Sequence, residues 1–443
     1  MEALSRHSRL RTQSASGSSS SVISKITRRL IPFLFLLYVV AYLDRINVGF
    51  AALQMQRQLH FNDKVYGLGA GIFFAGYLIF QIPSNLALRR IGARRWICIL
   101  MAVWGLISSS TAFISTPKGF YFLRFLLGSA EAGFFPGLVF YIRSWFPAVV
   151  RARTVALFMA AGPISGVVGG PLSGFLLGLQ GHGKLAGWQW LFLIEGLPAI
   201  LLGLLVFFSL PDSPLDAKWL DSDQKNWLID TLRLEESIPG TRKSRVHVFA
   251  IWSAWLLSLA LFGITTCTSG LSLWLPILIR SVSGHSNLMI GFLSAIPYIL
   301  AAIAEVIIGI HSDSSGERRW HIAAPALIGC TAIIGAASFL SLPAVLACVS
   351  IAILCVYSTF GPFWAISTVL LDAESAAPGI ALINSVGNLG GFFGPYVIGA
   401  IRNATGTFRG GFFIAAVALG LCAAIILTMR GASRTHSRIT SHA

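Results

Sequence analysis

Of 443 residues, 55% are hydrophobic and only 11% charged, against about 25% charged in soluble domains, and mean hydropathy is +0.75; a water-soluble globule is excluded. Lys and Arg number 33 against 17 Asp and Glu, a formal charge of +16. In so apolar a chain that excess reads as membrane orientation, not as a nucleic-acid surface, which needs a dense exposed basic patch.

The chain opens on residues 1–29, Ser-rich and basic and too poor in apolar surface to repay ordering, which predicts a solvated tail. Next comes an apolar run at 30–55, longer than a signal-peptide core and without a small-residue cleavage site, so it reads as a retained first helix. Further spanning helices are predicted at 67–88, 96–116, 119–142, 152–179, 187–210, 247–279, 287–310, 320–341, 343–371, 376–401 and 408–429. Those at 247–279, 343–371 and 376–401 carry Gly or Pro and are candidates for breaks or tilts. The single long polar segment, 211–246, divides the chain into bundles at 30–210 and 247–429, and 430–443 forms a second tail. The expectation is an all-α membrane protein of twelve transmembrane helices in two six-helix halves.

Alternate connections differ sharply in charge: 24 Lys and Arg fall on the side of the termini and 7 on the other, with Arg45 and Arg124 inside helices. Both termini are therefore expected in the cytoplasm, with the protein in the plasma membrane (cell inner membrane). The six cysteines (Cys98, Cys267, Cys330, Cys348, Cys355, Cys422) show no C-x-x-C spacing and read as packing residues. No histidine sits centrally, so no metal and no cofactor is expected.

An internal repeat appears at an offset of 224. Arg90-Ile91-Gly92-Ala93-Arg94-Arg95-Trp96 lines up with Ser314-Ser315-Gly316-Glu317-Arg318-Arg319-Trp320, and the second copy reads Gly309-x-x-x-Asp313-x-x-Gly316-x-Arg318. Either these are short basic turns, or the glycines let helices approach closely while the charges pair across the halves or with a helix end. The repeat resembles the G-x-x-x-D-R-x-G-R-R loop signature of the major facilitator superfamily, whose halves are related by an axis along the membrane normal. The first copy departs from it with Asn85, Arg89 and Ala93, the second with Ser314. The resemblance implies a gating role for Arg90, Gly92, Arg94, Gly309, Asp313, Gly316 and Arg318.

An ionisable group at bilayer depth costs about 2.5–3.5 kcal/mol, so each needs a reason. Asp44 and Arg45 lie about 21 Å into the first helix at 1.5 Å per residue. Arg124 and Glu131 lie on the fourth, two turns apart on one face. Read as scaffold, Asp44–Arg45 and Arg124–Glu131 are buried ion pairs. Against that, membrane helices are normally packed through small residues. Read as function, two guanidiniums in an apolar wall grip a carboxylate, and two neighbouring carboxylates take up and release protons as the site fills.

Asp44-Arg45-x-Asn47, Arg124 with Glu131-Ala132-Gly133-x-x-Pro136, and Gly379-x-Ala381-x-x-Asn384-x-x-Gly387-Asn388-x-Gly390-Gly391 resemble the anion:cation symporter branch of that superfamily, which includes tartrate, phthalate and sugar-acid permeases. The resemblance runs from Arg28 to about Gly411. It implies protonation at Asp44 and Glu131, carboxylate binding at Arg45 and Arg124, and substrate contacts from Tyr77, Asn384 and Asn388. Apart from the family, Asn384 and Asn388 share a helix face and equally suit interhelical hydrogen bonding, and Tyr77 suits a buried aromatic with a satisfied hydroxyl. Glu195 and Glu305, without a basic neighbour on their own helices, receive no role.

The expected activity is proton-coupled import of a small organic carboxylate by alternating access, with the anion, protons and lipid as partners, no nucleic acid, and a monomeric chain. Moving one negative charge into an inside-negative cell costs about 2.3 kcal/mol per 100 mV, which one co-transported proton cancels. Sodium coupling, or anion sensing without transport on the same scaffold, fits the same residues. An enzyme does not, since no H-E-x-x-H, G-x-S-x-G or phosphate-binding Gly-Lys-Ser motif is present.

Overall fold

The computed structural model describes residues 2–147, 150–151, 154, 160–237, 252–371 and 376–429. The first half comprises α1 (Glu2–Gln58), α2 (Asp63–Ile91), α3 (Ala93–Ser110), α4 (Pro117–Glu131), α5 (Phe134–Arg143), α6 (Ala161–Leu177) and α7 (Gly187–Ser209). After a linker helix α8 (Ser222–Ser237) come α9 (Trp252–Ser281), α10 (Asn287–Ser315), α11 (Trp320–Ser338), α12 (Leu342–Ser358), α13 (Phe360–Leu370), α14 (Ala376–Thr405) and α15 (Arg409–Thr428). Taking α4 with α5 and α12 with α13 as single crossings gives, among the described residues, twelve spans, six on each side of the linker. Ten candidate spans meet the length and apolarity a bilayer demands, and Ala161–Leu177 is a shorter apolar helix. Parts of the predicted 152–179 and 247–279 helices, residues 238–246 of the linker and the 430–443 tail lie outside the described residues.

The sequence expectation for residues 1–29 differs from the structure, where α1 is helical from Glu2. That stretch holds one glycine, Gly17, and no proline, and Val22, Ile26 and Leu30, four residues apart on one face, are buried in the core of the first half. The spanning part of α1 is Ser21–Gln58.

Two crossings are interrupted, and proline explains both. The N–H missing at Pro136 would have bonded the carbonyl of Ala132, where α4 gives way to α5; the N–H missing at Pro362 would have bonded Ser358, where α12 ends. The break in 343–371 agrees with expectation, whereas the fourth span was expected unbroken. Conversely α9 and α14 run as single helices through Pro276 and Pro395. The linker also departs from a plain polar loop: Trp219 stacks on Trp145 at 5.6 Å, and Leu220 and Leu228 are buried against the first half.

Contacts between the halves follow a twofold logic. The second span of each half, α2 or α10, packs on the fifth span of the other, α14 or α6. The approach is close enough to require bare backbone: a Cβ on Gly170 would stand 2.5 Å from the Gly291 carbonyl oxygen, and one on Gly67 would stand 2.5 Å from that of Pro395. These contacts gather at the end of the molecule away from the linker. There the Arg402 guanidinium donates to Asp63 at 2.5 Å and the Tyr66 hydroxyl donates to the Leu273 carbonyl at 2.6 Å. Both of these hydrogen bonds between the halves lie at this far end.

Candidate functional site

Asp44 and Arg45 are chain neighbours, so about 100° of helical rotation separates their side chains. Asp44 turns toward α3, where its carboxylate accepts hydrogen bonds from the Trp104 indole at 3.0 Å and the Ser108 hydroxyl at 2.8 Å, with the Asn47 amide donating at 3.3 Å. Arg45 turns toward α4, and its Nε donates to Glu131 Oε2 at 2.7 Å. The ion pair is therefore Arg45–Glu131, and neither pairing that the scaffold reading anticipates is formed. Three donors serve Asp44 without a cation in contact.

Arg124, two turns from Glu131, donates from Nε to the Gly69 carbonyl at 3.4 Å. The guanidiniums of Arg45 and Arg124 lie 5.6 Å and 5.0 Å from the Phe73 ring centroid, and Arg45 also lies 5.0 Å from Tyr42 and 5.3 Å from Tyr77. An aromatic face attracts a cation where water is scarce, so these rings hold both arginines in an apolar wall. Asp44 and Glu131 are fully buried and Arg124 nearly so, while the side chain of Arg45 is 18% exposed. Arg45 is thus the member of the group that reaches accessible space.

The bonding of the cluster is incomplete. Arg45 Nη2, Arg124 Nη1 and Glu131 Oε1 are buried and have no hydrogen-bond partner within the protein. Buried polar atoms are ordinarily paired; two spare guanidinium donors beside a spare carboxylate oxygen form an unsaturated acid–base set. An incoming carboxylate would saturate the donors, and a proton on Glu131 would turn its free oxygen into a donor.

Tyr77 joins this wall, whereas Asn384 and Asn388 bond to each other, Asn388 Nδ2 donating to Asn384 Oδ1 at 3.1 Å. Both asparagines are half-buried on α14. Glu195, without a role in the sequence reading, is buried on α7 and accepts from the Ser173 hydroxyl at 2.9 Å. This partner sits on another helix, so no spacing along its own helix could have revealed it. Among the described residues no group of three His, Cys, Asp or Glu is placed to hold a metal ion.

The repeated loops do their work at helix ends within each half. Arg94 pairs with Asp212 at 2.7 Å and reaches the Leu210 carbonyl just past α7 at 3.5 Å. Arg318 pairs with Asp313 at 3.3 Å, and Arg319 donates to the carbonyls of Ile426 and Leu427 at the end of α15. The charges thus follow the helix-end alternative and not the pairing across halves. Close approach does not explain the glycines: Gly92 and Gly309 have open space where a Cβ would stand. Gly92 and Gly316 instead adopt φ of +88° and +66°, which glycine tolerates at helix ends. Arg90 is exposed.

Residues 34–395 match the Major Facilitator Superfamily. A protein of Agrobacterium vitis named "Putative tartrate transporter" is 46% identical over 413 residues, covering 92% of this chain and 94% of that protein. A "Quinolone resistance transporter" of Acinetobacter baumannii is 43% identical over 401 residues, covering 90% and 92%. Among solved structures, a bacterial homologue of the human lysosomal transporter Spinster, in an inward-facing and occupied conformation, superposes with a TM-score of 0.75 at 19% identity, covering 92% of this chain and 96% of that one.

Proposed function

The chain belongs to the Major Facilitator Superfamily, and from that premise we propose that it imports a small organic carboxylate together with protons by alternating access. One observation carries the reading: Arg45 and Arg124 each hold a spare buried N–H group beside Glu131, whose second oxygen is likewise free. A substrate carboxylate binds those guanidinium donors bidentately, and Asp44 and Glu131 serve as the protonation sites. Protonation of Glu131 removes the charge that holds Arg45 and frees it for the anion, so one event prepares the other. Tyr77 lines the seat, and Asn384 and Asn388 face the substrate from the second half once the halves close on it.

The 24 to 7 charge asymmetry supports a cytoplasmic linker end and cytoplasmic termini in the cell inner membrane. The far end, where Asp63 and Arg402 meet, then faces outward, and the loop residues around Arg94 and Arg318 brace helix ends on the cytoplasmic side. All four charges lie in one bundle of one chain, so a monomer holds a complete set. The tartrate-named relative supports a hydroxy-dicarboxylate as cargo.

A second reading is favoured by the quinolone-resistance relative. Quinolones also carry a carboxylate, so the same arginines would seat an exported drug.

The test is uptake of labelled tartrate, sugar acids and aromatic acids by liposomes containing the purified protein, with the interior alkaline and sodium absent. Accumulation that collapses with the pH gradient supports the import reading. Accumulation driven by sodium alone, binding without accumulation, or quinolone efflux without carboxylate uptake replaces it.

A further inference from the structure

We propose that the cavity at the far-end mouth, between the two halves, is a second seat for a small dicarboxylate, held by Arg57, Arg280 and Arg402 before the anion reaches Arg45 and Arg124. The chemistry of the seat is read from the cavity itself. That its anion is the cargo, and that this end faces outward, rests on the function proposed above.

The cavity measures about 790 Å³ and is walled by both halves, with α1 and the start of α2 on one side and the ends of α9 and α14 on the other. Arg57, Arg280 and Arg402 occupy the last turns of α1, α9 and α14. All three line the cavity, and Asp63 is the one acid among the lining residues. Three positive charges against one negative leave two to be met, which is the charge of a dicarboxylate. Arg57 stands twelve residues beyond Arg45 on α1, about 18 Å along the axis, so this seat is separate from the central one.

An arginine in the last turn of a helix suits the partial negative charge there, which accounts for each of the three singly. It does not account for their gathering. The connections at this end carry 7 Lys and Arg in all, on the side of the membrane where such residues are sparse, and three of those seven line this one cavity. A cleft walled by one sign of charge concentrates the opposite ion and speeds its capture.

The donors of the three arginines are under-used. Arg57 is exposed and forms no ion pair among the described residues. Arg280 gives Nη2 to the Asn287 side chain, while its Nε is buried with no partner in the protein. Arg402 gives Nη1 to Asp63, and its guanidinium lies 5.7 Å and 4.6 Å from the ring centroids of Trp274 and Phe408, which hold it in place. A guanidinium has five N–H groups, so Arg402 can serve a second acceptor beside Asp63. A carboxylate arriving there competes with Asp63 for that cation, and an occupied mouth thereby weakens a contact between the halves.

The test introduces Ser281→Cys on the cavity wall, at a position already exposed with the mouth closed. Its labelling by an uncharged maleimide is followed in the purified full-length protein as tartrate or sulfate is added at fixed ionic strength, with the protein lacking the new cysteine as blank. Tartrate should slow labelling saturably. Adding Arg57→Gln with Arg280→Gln should raise the half-protecting concentration about tenfold or more. Arg57→Gln alone, at an exposed and unpaired side chain, should raise it about twofold to fivefold and serves if the double variant does not fold. Adding Arg124→Lys should leave it unchanged. Absence of protection, or protection untouched by the Arg57 and Arg280 variants, overturns the proposal. So does protection that weakens with Arg124→Lys, which would report the central seat, and so does equal protection by sulfate, which would make the cavity a general anion trap. The labelling needs neither gradient nor transport, so a protein protected here that accumulates no tartrate in liposomes refutes the transport reading and leaves this seat standing.

Discussion

Asp63 and Arg402 stand 339 positions apart in the chain and meet at 2.5 Å, one from each half. Gln56 adds a hydrogen bond to Asp63 at 3.2 Å, and Arg402 also lies over Phe408, 4.6 Å from its ring centroid. With the Tyr66–Leu273 bond beside it, the pair joins the two halves at the far end of the molecule.

The proposed alternating access requires that end to open, which would break the pair, so on that proposal Asp63→Asn or Arg402→Gln should shift the population toward the open form. Both side chains are about one-fifth exposed, and pairs of this kind contribute about 0.2–1 kcal/mol. The expected gain in labelling of a cysteine placed at residue 53 or 277, which line the mouth, is therefore at most about fivefold. The exchanged pair Asp63→Arg with Arg402→Asp should restore wild-type labelling. Labelling unchanged in both single variants would remove the latch.

Glu131→Gln keeps the shape of the side chain and an acceptor for Arg45 but cannot cycle a proton. Gradient-driven uptake should vanish while anion exchange persists, measured on the same liposomes. Glu131→Ala leaves the Arg45 guanidinium largely buried without a counter-ion. Removing one partner of a buried pair costs about 3–5 kcal/mol, and the partial exposure of Arg45 puts the loss near the lower end. Its melting temperature in detergent should fall well below that of Glu131→Gln.

Arg124→Lys preserves charge and loses the planar fork that matches both a carboxylate and the Phe73 face. Tartrate affinity should weaken about tenfold or more, read as a raised KM with less change in maximal rate. Unchanged affinity would mark Arg124 as scaffold.

The α2–α4 contact admits no side chain at Gly128, where a Cβ would overlap the Phe73 carbonyl oxygen. Gly128→Ala should lower yield and thermal stability and displace Phe73 from between the two arginines. Gly309→Ala, with open space at its Cβ, should leave both unchanged. Equal tolerance of the two variants would contradict the packing described for α2 and α4.

The twelve crossings were legible because apolar runs of spanning length leave a chain few alternatives. Asp44, Arg45, Arg124 and Glu131 were legible because a charge in such a run is expensive. Partners were not. Which acid Arg45 takes depends on how α1 and α4 rotate against each other, and spacing within each helix is silent on that. The same limit hid the setting of Glu195, whose partner Ser173 comes from another helix. The interruptions at Ala132 and Ser358 could have been placed by counting four residues back from Pro136 and Pro362, but Pro276 and Pro395 sit in helices that neighbouring packing keeps continuous. The linker helix was obscured by its polar surface, although Trp219 and Leu220 just before it and Leu228 within it mark the side of the linker that packs on the first half.

Where α6 crosses α10, main chain lies on main chain at Gly170 and Gly291. One turn along, the Tyr298 ring of α10 seats over Gly166, a Cβ on which would stand 2.3 Å from that ring. The crossing is therefore a pivot with one tooth: it can rock about the bare glycines, and the reach of that rocking is set by how far the tyrosine can slide before it meets the next side chain.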